Sequence, residues 1–421
     1  MSIQAFSPSE LSAARSEFPS LAEPNQCIFM DNAGGSQVLK RVADYVYDYL
    51  TRTSVQLGAS YSMSQTATGR VLEARRAVAS LINAAHDEEV VMGGSTTLLM
   101  FLIIQAILPT IVPGDEIILT NSDHHANVGA WKRLAQAGAI IKIWEVNQET
   151  LHLDLATLDG LLTSRTKWVA MTHASNVLGT VNPVAEVAKR VHAVGGRLSV
   201  DAVAYAPHRL VDVQASGADL YVFSVYKVFG PHYSVLWGRH ELLLSLPGIN
   251  HFFIQVLPYK LQPGNVNFEL GYGIRGVVDY LVHLGQNVFN GSGSHRELMQ
   301  KAYDRFEQHE NALIEKLLAF LRSKAPKVRI IGLPTLTQEY QGVTYSRLAT
   351  VSFVVEGFQS PDIVSHIDKY NIGIRHGDFY AVHLVDSLGL RAYGGVTRVS
   401  LAHYNTLEEV DKLISHLSEL F

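Results

Sequence analysis

The chain has 421 residues, 47% of them hydrophobic and 17% charged, and its formal net charge is −5. These values are typical of a soluble globular protein that is long enough for two domains. The lack of basic clusters excludes a nucleic-acid-binding surface, and the single cysteine excludes an intrachain disulfide or a cysteine metal site.

The N-terminus and the longest apolar run indicate where the protein resides. The first residues include Glu10 and Arg15 and lack the pattern of a secretion signal. The apolar run 98–112 contains Gln105 and Pro109 and is too short to cross a bilayer comfortably, so we interpret it as a buried helix. We therefore expect a cytoplasmic protein that makes no membrane contact.

Helices and strands alternate through the first half of the chain. In order, the predicted elements are a helix at 71–84, strands at 89–92, 116–120, 140–146 and 167–172, and a helix at 184–194. Strands separated by helices favour a mostly parallel sheet with helices on both faces. This pattern predicts the α/β class.

The pattern changes after about residue 290. A long helical stretch covers 296–323, and a strand covers 350–355. Thr406 and Glu409 have the spacing of a capping box that opens the last helix. These elements predict a smaller α+β domain, and residues 290–294 are the predicted joint that precedes it.

Residues 93–97 form the first candidate site. Two glycines lead from a strand into an apolar helix, where Ser95 and Thr96 supply hydroxyl groups. Such a segment can bind a phosphate through backbone N–H groups, hydroxyls and the dipole of the helix. The alternative is an ordinary helix N-cap.

Two later loops place polar side chains after strands. His124 and His125 are adjacent and cannot face the same way, so they make a poor metal site, and no metal is expected. His124 is a candidate for stacking on an aromatic cofactor, and the alternative is a surface loop. Asn176 follows the strand at 167–172, and it either donates to a cofactor ring substituent or stabilises a turn.

Asp201 and Lys227 form the most informative pair. Each ends or follows a strand-like stretch, and Ser224 lies three residues before the lysine. Pyridoxal 5'-phosphate (PLP) chemistry requires this combination, because the lysine binds PLP as a Schiff base and the acid keeps the pyridine nitrogen protonated. Either residue alone is more often a surface group or a turn residue.

Arg398 interrupts an apolar, strand-like run at 395–401. An arginine in such a run needs an anionic partner. One candidate is a substrate carboxylate held by two parallel hydrogen bonds, and the alternative is an internal salt bridge.

Taken together, these motifs resemble the class V aminotransferase family, most closely its cysteine desulfurase-like branch. The resemblance runs from residues 30–34, which are similar to the family's Asp-Asn-Ala-Ala opening, to residues 398–406. The aspartate and lysine motifs, the His-His-Ala-Asn loop and the Ser-Asn-Val-Leu-Gly loop make it specific.

The resemblance implies the PLP-dependent transferase fold of type I. It implies a large PLP-binding domain at 29–290 with a mostly parallel seven-stranded sheet, and a small C-terminal α+β domain at 291–421. Residues 1–28 are expected to pack with the small domain. Because the family builds its sites at a homodimer interface, we also expect a homodimer.

The resemblance further implies a role for each candidate residue. Lys227 would carry PLP, while Asp201 and His124 would contact the cofactor ring. Further cofactor-binding residues would be Ser95, Thr96, Asn176, Ser224, Tyr226 and Asn265, the last reaching the partner's phosphate. Residues around the amino-acid substrate would be Asn32, Ala33, Gly34, Tyr61, His376, Tyr380 and Arg398.

The chain departs from the desulfurase pattern where sulfur would be accepted. Tyr380 stands where those enzymes carry the cysteine that becomes a persulfide. Cys27 precedes the first strand, and we interpret it as a small buried hydrophobic residue. A persulfide mechanism is therefore not expected.

Other departures change the surroundings of the cofactor. Ala204 replaces the family's glutamine, Tyr226 replaces the histidine before the lysine, and Asn265 replaces a threonine that binds phosphate. The loop 58–64 lacks the usual basic and histidine residues. We therefore expect an intact cofactor site and a changed substrate site.

The sequence thus predicts a PLP-dependent enzyme that acts on an L-amino acid by side-chain elimination of the carbon–sulfur lyase type. Tyr61, His376 and Tyr380 are candidates for protonating the leaving group. The alternatives are an aminotransferase and a γ-replacement or cyclisation enzyme of specialised metabolism. A PLP-binding scaffold without catalysis is disfavoured by the retained lysine and aspartate.

Overall fold

A computed structural model describes residues 3–22 and 27–421. Its helices are α1 (Pro8–Arg15), α2 (Lys40–Arg52), α3 (Ser62–Ile82), α4 (Thr96–Ile107), α5 (His125–Lys132), α6 (Leu155–Leu161), α7 (Val184–Ala193), α8 (Val213–Ser216), α9 (His240–Ser245), α10 (Phe268–Gly273), α11 (Arg275–His283), α12 (His295–Ser323), α13 (Ser360–Asp368), α14 (Val382–Ser387) and α15 (Leu407–Leu417). Its strands are β1 (Ile28–Phe29), β2 (Val90–Gly93), β3 (Glu116–Thr120), β4 (Ile140–Trp144), β5 (Thr166–Thr172), β6 (Thr180–Val181), β7 (Arg197–Asp201), β8 (Leu220–Ser224), β9 (Ser234–Gly238), β10 (Val328–Ile331), β11 (Thr337–Tyr340), β12 (Val343–Arg347), β13 (Thr350–Val355), β14 (Ile372–Gly373), β15 (Arg375–Gly377) and β16 (Val396–Ser400).

A seven-stranded sheet organises the large domain, in the order β2-β9-β8-β7-β5-β3-β4. The neighbours from β8 to β4 are parallel, and β9 alone runs antiparallel to its two neighbours. The prediction of a mostly parallel seven-stranded sheet in an α/β protein is therefore confirmed. The carboxyl ends of β2, β3, β5, β7 and β8 consequently lie at one edge.

Both faces of the sheet are buried from β2 to β3, which explains the apolar character of these strands, while the edge strand β4 is partly exposed. Alternate residues of β5 enter different layers: Trp168 and Ala170 pack in one apolar cluster, and Val169 and Met171 pack in the other. The burial of each such side chain contributes roughly 1.5–3 kcal/mol. The stable sheet provides a rigid support for the loops at its edge.

The small domain contains a four-stranded antiparallel sheet in the order β10-β13-β16-β15. Its apolar face packs with α12, α13 and α15 through residues such as Leu317, Val351 and Leu413. Helix α12 directly precedes the first strand of this sheet in the chain. Ser294 caps the start of α12, because its hydroxyl accepts from Glu297 N–H.

The N-terminal residues contact this small domain and its neighbouring helices. The ring of Phe6 stacks on His309 with the centroids 4.3 Å apart, and Arg15 donates to the carbonyl of Tyr404 at 2.6 Å. Strand β1 pairs with β14. Within the described residues, we find no helix that combines the length and the apolar character needed to span a membrane.

Candidate active site

Polar side chains from five strand ends meet at the carboxyl edge of the large sheet. β2 leads to Ser95 and Thr96, β3 leads to His124, and β5 leads to Asn176. β7 ends at Asp201, and β8 leads to Ser224 and Lys227. These side chains line one cavity of about 540 Å³, a volume that includes space open to solvent. The other lining residues are Tyr226, Thr97, Ala126, Thr172, Ala174, Val203 and Ala204. The edge where parallel strands end is the usual place for a binding site in such sheets.

Lys227 lies in this cavity with only 8% of its surface exposed. Burial lowers the pKa of Lys227 to about 8, and the positive charge of Arg398 adds to the effect. Asp201 and Asp31 oppose the change because their negative charges favour the protonated amine. A lysine with this pKa carries a reactive neutral amine near physiological pH.

Asp201 supplies the carboxyl group of the cavity. One of its oxygens, Oδ1, accepts from Val203 N–H at 2.9 Å. Burial raises the pKa of Asp201, while the Val203 hydrogen bond and Lys227 lower it. A cationic partner at its other oxygen would therefore be stabilised strongly.

Hydroxyl groups gather where α4 begins. Thr96 Oγ1 lies 2.8 Å from Ser224 Oγ and donates to Ser234 Oγ at 3.3 Å. Ser95 caps the helix, since its hydroxyl accepts from Leu98 N–H at 3.1 Å. Hydroxyls beside a helix N-terminus favour an anion such as a phosphate.

His124 is the N-cap of α5, and its Nδ1 accepts from Ala126 N–H at 3.1 Å. Burial lowers the pKa of His124 to about 4, and Lys227 adds to the effect. The imidazole is therefore neutral at physiological pH, which suits it to stacking on an aromatic cofactor. His125 turns away from it, with its ring 6.4 Å from that of His383.

A loop of the small domain, residues 378–381, is held against this edge. Asn176 Nδ2 donates to the carbonyl of Phe379 at 2.9 Å, and His125 N–H donates to the carbonyl of Tyr380 at 2.8 Å. The ring of Tyr380 lies 5.2 Å from that of His124, centroid to centroid. Tyr380 is not among the residues that line the cavity, but its side chain, 70% exposed, lies beside His124, which does line it. We refer to this place as the mouth of the cavity.

Arg398 lies beside the cavity with its guanidinium buried. It donates to Asp31 Oδ1 at 3.0 Å and to the carbonyl of Asn176 at 3.2 Å, and the Phe379 ring lies 3.6 Å from its guanidinium carbon. Burial lowers the pKa of Arg398 to about 10, so it stays charged at neutral pH. Arg375 Nε contacts the other oxygen of Asp31 at 2.8 Å.

The donor set fits PLP. The cavity combines a lysine with a lowered pKa, a buried carboxyl group that has one oxygen free of protein hydrogen bonds, and a neutral imidazole. The hydroxyls of Thr96 and Ser224 are positioned for the phosphate. An amine, an acid and a phosphate site at these positions match the aldehyde, the pyridine nitrogen and the phosphate of the cofactor.

Other predicted residues lie outside this cavity. Asn32 is buried and donates to Ser400 and Asn405, while Asn265 donates to Gln56 at 3.0 Å in a separate depression. Ala33 donates its N–H to the Ser400 hydroxyl at 2.8 Å. Tyr61, His376 and Gly34 are exposed, and none of the three is among the residues that line the cavity in the described chain.

Three residues near the cavity were not singled out in the sequence. Asp31 and Arg375 lie in segments that resemble the family, but no feature of the sequence indicates that they pair. Ser234 joins the hydroxyl cluster because β9 runs antiparallel to β8 and places it opposite Ser224. Its position at the start of a strand, seven residues after Lys227, would have been the available signal.

Residues 28–413 match the profile of the family described as Aminotransferase class-V. Aminotransferase-like protein FGM3 of Gibberella zeae is 41% identical over 410 residues, covering 95% of this chain and 96% of that protein. Nonribosomal peptide synthetase-like enzyme fsqF of Aspergillus fumigatus is 33% identical; that match covers 96% of this chain but 26% of fsqF. A solved cysteine desulfurase from Thermococcus onnurineus superposes with a TM-score of 0.83 at 25% identity, over 99% of both chains.

Proposed function

The chain belongs to the class V aminotransferase family and is a PLP-dependent enzyme, and we propose that it eliminates a side-chain substituent from a small L-amino acid without forming a protein persulfide. The observation that carries this proposal is the mouth of the cavity, where the phenol of Tyr380 stands beside His124. A phenol can donate a proton to a leaving group, but it cannot accept sulfur as a persulfide.

The residues of the cavity have distinct parts in holding the cofactor. PLP on Lys227 supplies an electron sink for the negative charge that develops at the substrate α-carbon. Asp201 offers a carboxylate to the pyridine nitrogen, and the Thr96 and Ser224 hydroxyls hold the phosphate. His124 covers one face of the ring as a neutral imidazole.

Lys227 is also the base of the proposed reaction. With a substrate bound in the cavity, the Nζ of Lys227 would accept the α-proton. Burial lowers its pKa to about 8, so the neutral amine is available near physiological pH. Arg398 binds the α-carboxylate, which orients the α-hydrogen toward Nζ.

The only cysteine of the chain lies elsewhere. Cys27 is half-buried beside β1, where its thiol donates to the carbonyl of Ile28 at 3.6 Å and lies against Gly373. Burial raises the pKa of the Cys27 thiol, so it remains protonated and unreactive at neutral pH. Elimination through Tyr380 therefore accounts for the site better than sulfur transfer.

Aminotransfer is the second candidate function. Its support is the 41% identity to a protein named aminotransferase-like, over nearly the full length of both chains. The same lysine, aspartate and arginine would serve that reaction, because the first proton removal is common to both. A γ-replacement or cyclisation reaction would also begin in this way.

A homodimer is the proposed assembly. The segment 244–259 exposes apolar side chains to solvent: Phe252 by 89%, Phe253 by 69% and Val256 by 66%. Gln262, just after it, donates to the carbonyl of Met92 at 3.0 Å, next to the phosphate-binding loop. A second copy covering this segment would bury the apolar rings and support the cofactor site of the first.

The cytoplasm is the proposed location. The chain has a single cysteine, so it contains no intrachain disulfide that would need an oxidising compartment. Fluorescence microscopy of the tagged full-length protein would test this proposal, and a signal confined to an organelle would refute it.

Product stoichiometry tests the proposed reaction. Purified holoenzyme is mixed with a panel of L-amino acids that carry β- or γ-leaving groups, without added keto acid. Ammonia and the leaving group released in many equivalents per site would support elimination. If the reaction stops after one equivalent and resumes on addition of a keto acid, the protein is an aminotransferase and the elimination proposal is wrong.

A further inference from the structure

Two arginines and one carboxylate form a charged triad beside the cavity: Arg375, Arg398 and Asp31. Arg375 and Arg398 are directly opposite each other on the antiparallel strands β15 and β16. Like charges in that position repel each other. Asp31 forms an ion pair with each, at 2.8 Å from Arg375 Nε and 3.0 Å from Arg398, and thereby neutralises one of the two charges.

The position of Asp31 depends on Gly34. A Cβ atom added at Gly34 would lie 2.8 Å from Asp31 Oδ2, closer than such atoms normally approach. Gly34 stands where the family opening has its second alanine, and its missing side chain leaves space beside the Asp31 carboxylate. Asp31 is 7% exposed, and its charge is therefore weakly screened by water.

The charges near the triad leave one positive charge unmatched. The two guanidinium groups carry +2 and Asp31 carries −1, so one bound carboxylate makes this triad neutral, while Lys227 and Asp201 oppose each other in the adjoining cavity. His124 is uncharged because burial lowers its pKa to about 4. Asp378, on the adjacent loop, is already paired with Arg391 at 3.2 Å.

We propose that Asp31 sets the charge selectivity of the enzyme, so that it accepts amino acids with a single carboxylate and an uncharged side chain. A dicarboxylic amino acid would bring a second negative charge next to the buried carboxylate of Asp31, at the exposed side of Arg375. Without Asp31, Arg375 would be free to bind that second carboxylate. Asp31 is in this sense a specificity-determining residue that acts through the arginines.

This inference rests on the proposed function, since it takes Arg398 as the residue that binds the substrate carboxylate. The test uses succinamate and succinate, two unreactive acids of similar shape that differ by one charge. Their dissociation constants are measured calorimetrically with the PLP-loaded enzyme. In the wild-type enzyme we expect succinamate to bind about tenfold or more tightly than succinate.

Asp31→Asn should move this preference toward succinate by about tenfold or more, and Gly34→Ala should move it in the same direction by displacing the carboxylate. Arg375→Gln is the control that removes a positive charge and leaves Asp31 in place. It should weaken the binding of both acids without shifting the preference toward succinate. The cofactor absorbance and the melting temperature confirm that each variant is folded and loaded.

An unchanged ratio of the two dissociation constants in Asp31→Asn and Gly34→Ala would refute the role of Asp31. That result would leave the proposed function intact. If the wild-type enzyme binds neither acid and amino acids do not bind either, the assignment of Arg398 fails, and the proposed function fails with it. A wild-type preference for succinate would also refute the inference.

Discussion

At the scale of single residues, we propose that three buried ionisable side chains carry the chemistry: Lys227, Asp201 and Arg398. Burial favours the neutral form of each, since it lowers the pKa of Lys227 to about 8 and that of Arg398 to about 10, and raises the pKa of Asp201. Shifted pKa values of this kind cluster at functional sites. The strongest consequence concerns the lysine.

We expect the rate at which the apo-protein binds PLP covalently to rise with pH through about 8 and then to level off. Only the neutral amine of Lys227 attacks an aldehyde, and burial lowers the pKa of that amine to about 8. The measurement is the absorbance change on mixing apo-protein with PLP over a series of pH values. A midpoint near the ordinary pKa of lysine would contradict the buried environment, and the surface variant Lys189→Ala should leave the midpoint unchanged.

Tyr380→Phe should lower the rate of product release by roughly 100-fold, with cofactor binding unchanged, because the proton donor to the leaving group is removed. Steady-state kinetics with the best substrate of the panel measures this effect. Tyr47→Phe is the matched control, since Tyr47 and Tyr380 are both 70% exposed and Tyr47 lies on α2. Equal rates for Tyr380→Phe and wild type would remove Tyr380 from the mechanism.

The residues that follow strands could be predicted from the sequence, while their partners could not. Lys227, Asp201 and Thr96 belong to local patterns in which a strand delivers a polar residue to one edge. Asp31 and Arg375 come from opposite ends of the chain. They meet because β1 pairs with β14 and Asp31 bridges to Ser400 of β16, which also pairs with β15. No local pattern marks such a contact.

At the scale of elements, the loop 378–381 is the strained part of the site. Phe379 and Tyr380 have φ angles of 52° and 60°, in the left-handed region that costs a non-glycine residue roughly 1–2 kcal/mol. The hydrogen bonds from Asn176 and His125 and the contact with Arg398 hold the loop in that conformation. The strained conformation therefore lies at the mouth of the cavity and holds the side chain of Tyr380 there.

Asn176→Ala should release this loop, because the hydrogen bond to the Phe379 carbonyl is worth about 1 kcal/mol. We expect faster hydrogen–deuterium exchange in the peptide that covers residues 378–381, by roughly fivefold. Tyr380→Gly is the informative comparison, since glycine adopts the left-handed conformation without strain and should leave the melting temperature unchanged or higher. Slower exchange in Asn176→Ala than in the wild type would contradict the proposed restraint.

Element boundaries show where sequence patterns stop being informative. The strand at 116–120 has the predicted bounds, but the helix predicted at 71–84 is α3, which begins at Ser62. Its first turns are rich in small polar residues and show no apolar periodicity. Tertiary contacts stabilise them instead, including Ser64, which donates to the Gln56 carbonyl at 2.7 Å, and Ala67, which packs against a tyrosine cluster.

At the scale of the whole molecule, the sheet order confirms the architecture predicted from alternating helices and strands. The prediction of the α/β class depends on the order of helices and strands along the chain. It therefore remains correct when the first or last residue of a single element is predicted wrongly. Packing between chains is not encoded in such a pattern. The sequence does not show whether the apolar residues around Phe252 are buried, whereas the structure shows that they are exposed.

The paired substitution Phe252→Asp and Phe253→Asp should convert the proposed homodimer into a monomer, because two charges would replace apolar rings at the interface. Light scattering after size-exclusion chromatography measures the mass. Val112→Asp is the matched control: it places one charge at an apolar residue that is 60% exposed, in the loop that precedes β3. A dimer that survives the paired substitution would move the interface elsewhere.

Peptide mapping after borohydride reduction tests the PLP site built around Lys227 most directly. Reduction fixes PLP on the lysine that carries it, and mass spectrometry identifies the modified peptide. We expect one phosphopyridoxyl group per chain, on Lys227, and none on that peptide in Lys227→Ala. A modification on another lysine, or no stable modification in the wild-type protein, would contradict the assignment of the site.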